Sequence, residues 1–390
     1  MPGVGRNVAA VRKARGLSQL ELSRRAQISY SLLTKIESEH APATPAVIGA
    51  LARALRVDVP RLTGQPFEAA SATSPEIYEP ISALRQLLLA YDVPVPPPMP
   101  PRPLDEIAPD VRAMSVLRRG ANFKRLAPTL PPLVDELRFL ALTLTGSERE
   151  RALRLLAEAY YAVECLGSGV GYQDIYLLAI ERVAWCADQL GDPLLIAAAR
   201  WGRAGPLMRE GAYEAGLRLL AQTRDGLVGD DDATRAVVGS LHLRESMLAA
   251  RAGRADEAWD HIAEAARLAE LVGETNVHEL GFGPSNTTIF GVAVGVDLED
   301  GVRAVEVADA RRTVLAAPAE RLGAYFIDLA RAYLILGNRA TALRCLEQAR
   351  RAAPQQTRHH PQAREMVLAI ASGGRGSQEL TSFASWLGLN

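Results

Sequence analysis

Residues 17–40 read LSQLELSRRAQISYSLLTKIESEH, two short helical patterns on either side of Ala26-Gln27-Ile28-Ser29. Neither pattern is long enough to hold alone in water, where helices below about 12 residues are marginal. Each must be packed against something. Ser18 and Glu21 form the S-x-x-E pattern of a capping box, which starts a helix at Gln19. Ser29 is placed to cap a second helix over Tyr30–Glu37. Farther out, Thr44-Pro45 begins another, with Pro45 at the first helical position, where its missing N–H costs nothing. Asp58 is positioned to cap a last turn ending near Gly64, and Asn7–Arg15 supplies a helix in front. Five short helices then share one core of Val8, Val11, Leu22, Ala26, Ile28, Leu33, Ile36, Ile48, Leu51, Leu55 and Leu62.

Charge sets this segment apart. The chain of 390 residues has a net charge of −1, yet residues 1–65 carry +6 and the remainder −7. A small basic head on an acidic body points to a polyanion as the partner of the head alone.

The head, over residues about 4–64, resembles the helix-turn-helix domain of the lambda-repressor/Cro-like family, through GLSQLELS, ISYSLLTKIE and TPAVIGALARALRV. That resemblance implies double-stranded DNA as partner, the first paired helix against the phosphates and the second in the major groove. It puts Gln19 on a phosphate and turns Tyr30, Ser31, Thr34 and Lys35 toward base edges and flanking phosphates. Ser29, at the start of that helix, joins them as a DNA-binding residue. Arg12 matches the family's basic residue that bridges to the acid at Glu37. The chain departs from the family at Gln27, where a left-handed turn usually carries glycine, and at Glu39, where a carboxylate would repel phosphate.

Beyond the head, residues 66–103 read as a linker: a small-residue stretch, one helix over Ile81–Tyr91, and DVPVPPPMPPRP, an extended spacer that leaves the head loosely tethered. Residues 104–390 are helical in pattern throughout. Their clearest unit, GAYFIDLARAYLILGNRATALRCLEQARRAAP (323–354), resembles a tetratricopeptide repeat. Phe326, Leu329, Ala330, Tyr333, Ala342, Leu346, Ala349 and Pro354 fall on that family's signature positions, and Gly337 supplies the turn. Weaker copies turn at Gly253 and Gly211, and LEDGVRAVEVA fills the interval between Gly253 and Gly337. With an earlier pair, roughly five helical pairs stack, each burying its apolar face against its neighbours. The expected fold is all-α: a five-helix head, then a tetratricopeptide-like α-solenoid with a concave wall.

The repeat register sets Trp201, Met208, Leu243, Met247, Ile289, Ile327, Arg331 and Leu334 on that wall, suited to an apolar or peptide effector or to filling a tightly wound superhelix. HELGFGPSNTTIFGV (278–292) breaks the helical pattern with glycines. It reads either as a long turn capped by Ser285 or as a ligand-gripping element. The layout resembles that of peptide-sensing repeat regulators, which hold ligand backbone with an inner-wall asparagine; that implies a role for Asn286.

Other classes find little support. Three widely spaced cysteines indicate neither a disulfide framework nor a zinc site. GSGVG (167–171) lacks the spacing of a phosphate loop and reads as an inter-helix turn, and His359-His360 reads as a solvated loop. No nucleophile elbow or zinc-protease pair occurs, so no enzyme, metal or cofactor is expected. No apolar run reaches the roughly 20 residues of a membrane span, and a cytoplasmic location is expected. The expected function is that of a ligand-sensing, homodimeric transcription regulator. The alternatives are a DNA-tethered scaffold and a head that binds only protein. The pairing surface is expected in the acidic body, with the terminal LTSFASWLGLN as candidate because Phe383, Trp386, Leu387 and Leu389 need cover; the alternative is that this segment packs back on the last repeat of its own chain.

Overall fold

The structure, a computed structural model, describes residues 3–66, 74–310, 314, 317–372 and 377–389. The head contains α1 (Val4–Ala14), α2 (Gln19–Ala26), α3 (Tyr30–Glu37), α4 (Pro45–Leu55) and α5 (Val59–Thr63). Local chemistry sets these bounds. The Ser18 hydroxyl accepts from the Glu21 amide at 3.2 Å while Glu21 accepts from the Ser18 amide at 2.8 Å, closing the capping box. Ser29 and Thr44 cap α3 and α4 with the hydroxyl alone, accepting from the Leu32 and Val47 amides. Asp58 holds the cap position of α5, but its side chain makes no capping bond.

The expected core assembles, with Val11 and Ile28 partly buried at its margin and the other nine residues fully enclosed. At Gly5, α1 and α3 approach so closely that an added Cβ would lie 2.0 Å from the Ile36 carbonyl oxygen. Only glycine permits this approach, which fixes the seat of α3 against the first helix.

The body begins earlier than the sequence suggested. Helices α6 (Pro75–Tyr78) and α7 (Pro80–Leu89) bury Ile77, Ile81, Leu84 and Leu88 in one cluster with α8 (Leu104–Arg119), α10 (Leu130–Thr143), α11 (Gly146–Val170) and α12 (Gln173–Leu190). The short α9 (Phe123–Leu126) fills the corner between α8 and α10. Nor is the proline stretch a free spacer. A proline-rich strand offers carbonyls but few N–H groups, so any pairing must come from donors elsewhere. Buried Arg138 on α10 supplies them to the carbonyls of Ala90 (3.0 Å), Val93 and Val95 (3.2 Å). Arg102 adds ion pairs to Glu136 and Asp110. The stretch joins two helices of the body and is strapped to a third.

Helical pairs follow: α11 with α12, α13 (Pro193–Arg209) with α14 (Tyr213–Asp225), α15 (Asp232–Arg251) with α16 (Ala255–Val272). Next come α17 (Pro284–Asp297) with α18 (Gly301–Ala310), and α19 (Ala319–Ile335) with α20 (Arg339–Ala352). Gly211, Gly253 and Gly337 take φ of +73°, +76° and +75°, the left-handed turn that only glycine enters without strain. In the clearest repeat Ala330, Ala342, Leu346 and Ala349 are buried, with Phe326, Leu329 and Tyr333 packed against them. GSGVG is not a turn as a whole, because α11 runs to Val170 and only Gly171 leaves the helix.

The last helices are α21 (Pro354–His359), α22 (Pro361–Ala371) and α23 (Gln378–Leu387). His359 is buried with its Nδ1 on the Gln355 carbonyl at 2.7 Å, not part of a solvated loop. Phe383 and Leu387 pack onto Met366, Ile370 and Leu343 of their own chain, and Arg350 lies 4.6 Å over the Trp386 ring. The terminal segment is therefore covered internally rather than left as an apolar end for a second copy.

The array curls back on itself. Arg118 of α8 pairs with Glu279 and Glu320, 161 and 202 residues away. The Lys124 amide reaches Gln355 Oε1 at 2.8 Å. The head docks across this closure: the Val4 amide donates to Glu365 at 2.8 Å, Arg53 to the Glu210 carbonyl at 3.0 Å, and Gln65 to the His359 carbonyl at 3.1 Å. It is held by the body and not loosely tethered. Among the described residues no helix is long and apolar enough to cross a membrane.

Candidate nucleic-acid interface and effector cavity

Helix α3 presents Tyr30, half exposed, with Ser31 and Lys35 beside it on the open face of the head. Ser29 is exposed as the cap, and half-buried Thr34 turns its hydroxyl back to the Tyr30 carbonyl at 3.0 Å. The buried side of α3 is anchored by Glu37. Arg12 grips it bidentately, Nε to Oε1 at 2.7 Å and Nη2 to Oε2 at 2.8 Å, and also donates to the Leu17 carbonyl at 2.7 Å. The hydrogen bond to Glu37 holds the Arg12 pKa above its ordinary value. Gln19 joins this network, donating to Glu37 at 2.8 Å and accepting from the Tyr30 hydroxyl at 3.4 Å. A chain Arg12–Glu37–Gln19–Tyr30 thus ties α1, α2 and the exposed end of α3 together.

Gln27 adopts φ 56°, ψ 39°, the left-handed turn that the family resemblance implied. Glu39 is also left-handed at φ 60°, and its carboxylate is mostly covered and paired with Arg6 at 3.2 Å, which offsets its charge.

On the body, a cavity of about 260 Å³ opens between α11, α12, α13 and the turn before α17. Its lining includes Arg154, Glu158, Tyr161, Asn276, His278 and Glu279. His278 and Glu279 take φ of +45° and +63°, two non-glycine residues in the left-handed region. Such strain persists only where surrounding contacts over-determine it. Here Glu279 accepts from Ser115 at 2.9 Å and Asn276 at 3.0 Å as well as from Arg118. Burial, reinforced by Glu279, raises the Glu158 carboxyl above its usual range, and burial lowers His278.

The wall residues read from the repeat register lie elsewhere. Trp201, Met208, Leu243, Met247 and Ile289 are buried in packing, as is Ile327, while Leu334 is half-buried. Trp201 donates to the Ser240 carbonyl at 2.9 Å, under the Arg244 guanidinium. Arg331 is enclosed beside Asp297 and Asp328, each at 3.6 Å. Asn286 donates to the Gly281 carbonyl at 2.6 Å and so ties its own turn, while Gly283, not Ser285, stands at the cap of α17. The glycine-rich segment does reach the cavity, but through His278, Glu279 and Leu280. Arg154, Glu158 and Tyr161 went unnoticed in the sequence, although their spacing marks one face of a helix.

Comparison with known proteins agrees with the head. Residues 8–62 match a family model described as helix-turn-helix. The chain thus carries an N-terminal helix-turn-helix domain, followed by a solenoid-like array of paired helices. No curated protein matches it. Among solved structures, Bacillus thuringiensis PlcR in complex with the peptide PapR7 and DNA is 15% identical, covering 70% of this chain and 96% of that one, with a TM-score of 0.28. PrgX in complex with iCF10 is 8% identical, covering 100% and 97%, with a TM-score of 0.24.

Proposed function

We propose that this protein is a sequence-specific DNA-binding transcription regulator whose helical array receives a small-molecule or peptide effector. The observation that carries the reading is α3: locked from behind by Arg12–Glu37, it turns Tyr30, Ser31 and Lys35 to solvent on a head of net charge +6. A helix so held is suited to the major groove, with Ser29 and Thr34 along the same element and Gln19 at the flanking phosphates. One such helix reads a half-site, so two copies on one operator are part of the proposal.

The effector site proposed is the cavity walled by Arg154, Glu158, Tyr161 and the strained 276–280 turn. Glu279 belongs both to that wall and to the Arg118 closure of the array. A molecule that moves the turn would therefore act on the closure, and through it on the body surface that holds the head. It shifts the equilibrium only as far as its affinity differs between the two states.

Footprinting of the intact protein on genomic fragments tests the DNA reading. Wild type should protect discrete sites, and Lys35→Ala should weaken binding to them by about 1–3 kcal/mol if Lys35 reaches a base edge. Unchanged affinity on every duplex would remove Lys35 from the interface.

A further inference from the structure

Away from the head and the cavity, three side chains that could ligate a metal converge between the two helices of one repeat. His242 and Glu245 lie one turn apart on α15, and His261 faces them from α16. His242 Nδ1 and His261 Nδ1 are 2.9 Å apart, and Glu245 Oε2 lies 3.6 Å from the first and 3.7 Å from the second. A triangle with those edges has a centre about 2.0 Å from all three atoms, the bond length of a zinc ion to imidazole nitrogen and carboxylate oxygen.

Hydrogen bonding within the trio joins only the two rings: one imidazole can donate Nδ1–H to the other, while Glu245 Oε2 is too far from both and is bonded from outside by Arg224. A cation at the centre engages all three groups at once. We propose that His242, Glu245 and His261 form a binding site for a divalent first-row transition metal, with zinc the ion that suits two imidazoles and a carboxylate.

The surroundings are those of a metal site. Arg224 Nη1 donates to Glu245 Oε2 at 2.5 Å, an outer partner that orients the carboxylate. The Glu245 side chain is 2% exposed, but His242 and His261 are 12% and 16% exposed, which gives an ion a way in. Charged groups acting on the trio are Arg224, the strongest on each of the three, and Arg267, with Asp225, Glu257, Asp260 and Glu264 opposing them. Three protein ligands leave a fourth tetrahedral position for water. Because the ligands come from both helices of one hairpin, the ion would clamp α15 to α16.

Cobalt(II) and zinc(II) titration of the intact, tag-free, metal-stripped protein tests the site. Wild type should take up one equivalent of cobalt with the visible absorption of tetrahedral coordination, and zinc should displace it. Zinc should also raise the melting temperature. Loss of even an outer-shell partner costs 10–100-fold in metal affinity, so His261→Ala and His242→Ala should each weaken binding by at least about 100-fold. Exposed His40→Ala should bind as wild type does. Circular dichroism checks that the variants fold, and the wild-type titration decides the matter even where one does not. Absence of both the cobalt absorption and the zinc-dependent melting shift in wild type would overturn the proposal. So would undiminished binding by a folded His242→Ala/His261→Ala double variant.

Discussion

Replacing Arg12 by alanine should destabilise the head by about 3–5 kcal/mol, the usual cost of stranding one partner of a buried ion pair. Arg12 and Glu37 are 10% and 6% exposed, so solvent cannot reach in to replace the lost guanidinium. The Leu17 carbonyl would lose its donor as well, and Glu37 would keep only Gln19. Because the stranded carboxylate causes most of the loss, the Arg12→Ala/Glu37→Ala double variant should be more stable than Arg12→Ala alone. Hydrogen exchange of the α1–α3 amides in the full chain reads this directly. Protection unchanged in Arg12→Ala would mean that the pair does not hold α3.

The second large effect is expected at Arg118. Its side chain is 3% exposed, whereas Glu279 and Glu320 are 15% and 23% exposed and keep some access to water. The cost of Arg118→Ala should therefore fall near the lower end for buried pairs, about 3 kcal/mol. Its structural consequence is distinctive, because the lost pairs join α8 to elements from the far half of the array. The variant should melt at a lower temperature and show a larger radius of gyration by small-angle scattering. An unchanged radius would show that the array stays closed without Arg118.

The helix-turn-helix head was legible because its signals are local. Ser18, Glu21, Ser29 and Pro45 act within one helical turn of themselves, and the apolar spacing of Leu22, Ala26, Leu33 and Ile36 follows directly. The repeat turns at Gly211, Gly253 and Gly337 were legible for the same reason. The closure of the array was not. Arg118 finds Glu320 across 202 residues, and no periodicity in either helix encodes that pairing.

The proline segment misled because its composition forbids helix but says nothing of Arg138, a donor more than 40 residues downstream. The bond from the Asn286 amide to the Gly281 carbonyl was not legible, because an amide suited to a ligand's backbone serves equally well to tie its own turn. The His242–Glu245 pair is an ordinary i, i+3 spacing, and only the folded hairpin brings His261 to it.

The most direct measurement is the affinity of the intact protein for its preferred duplex as a function of salt. A head that neutralises phosphates should give a linear fall of log affinity with log salt, with a slope of about −0.9 for each phosphate contacted. Lys35 carries the charge that can neutralise a phosphate, so Lys35→Ala should make the slope shallower if it does so, whereas Gln19→Ala, the loss of a neutral hydrogen-bonding group, should weaken binding and leave the slope unchanged. Binding that is insensitive to salt, or no preference for any duplex over random DNA, would contradict the assignment of α3 to the major groove.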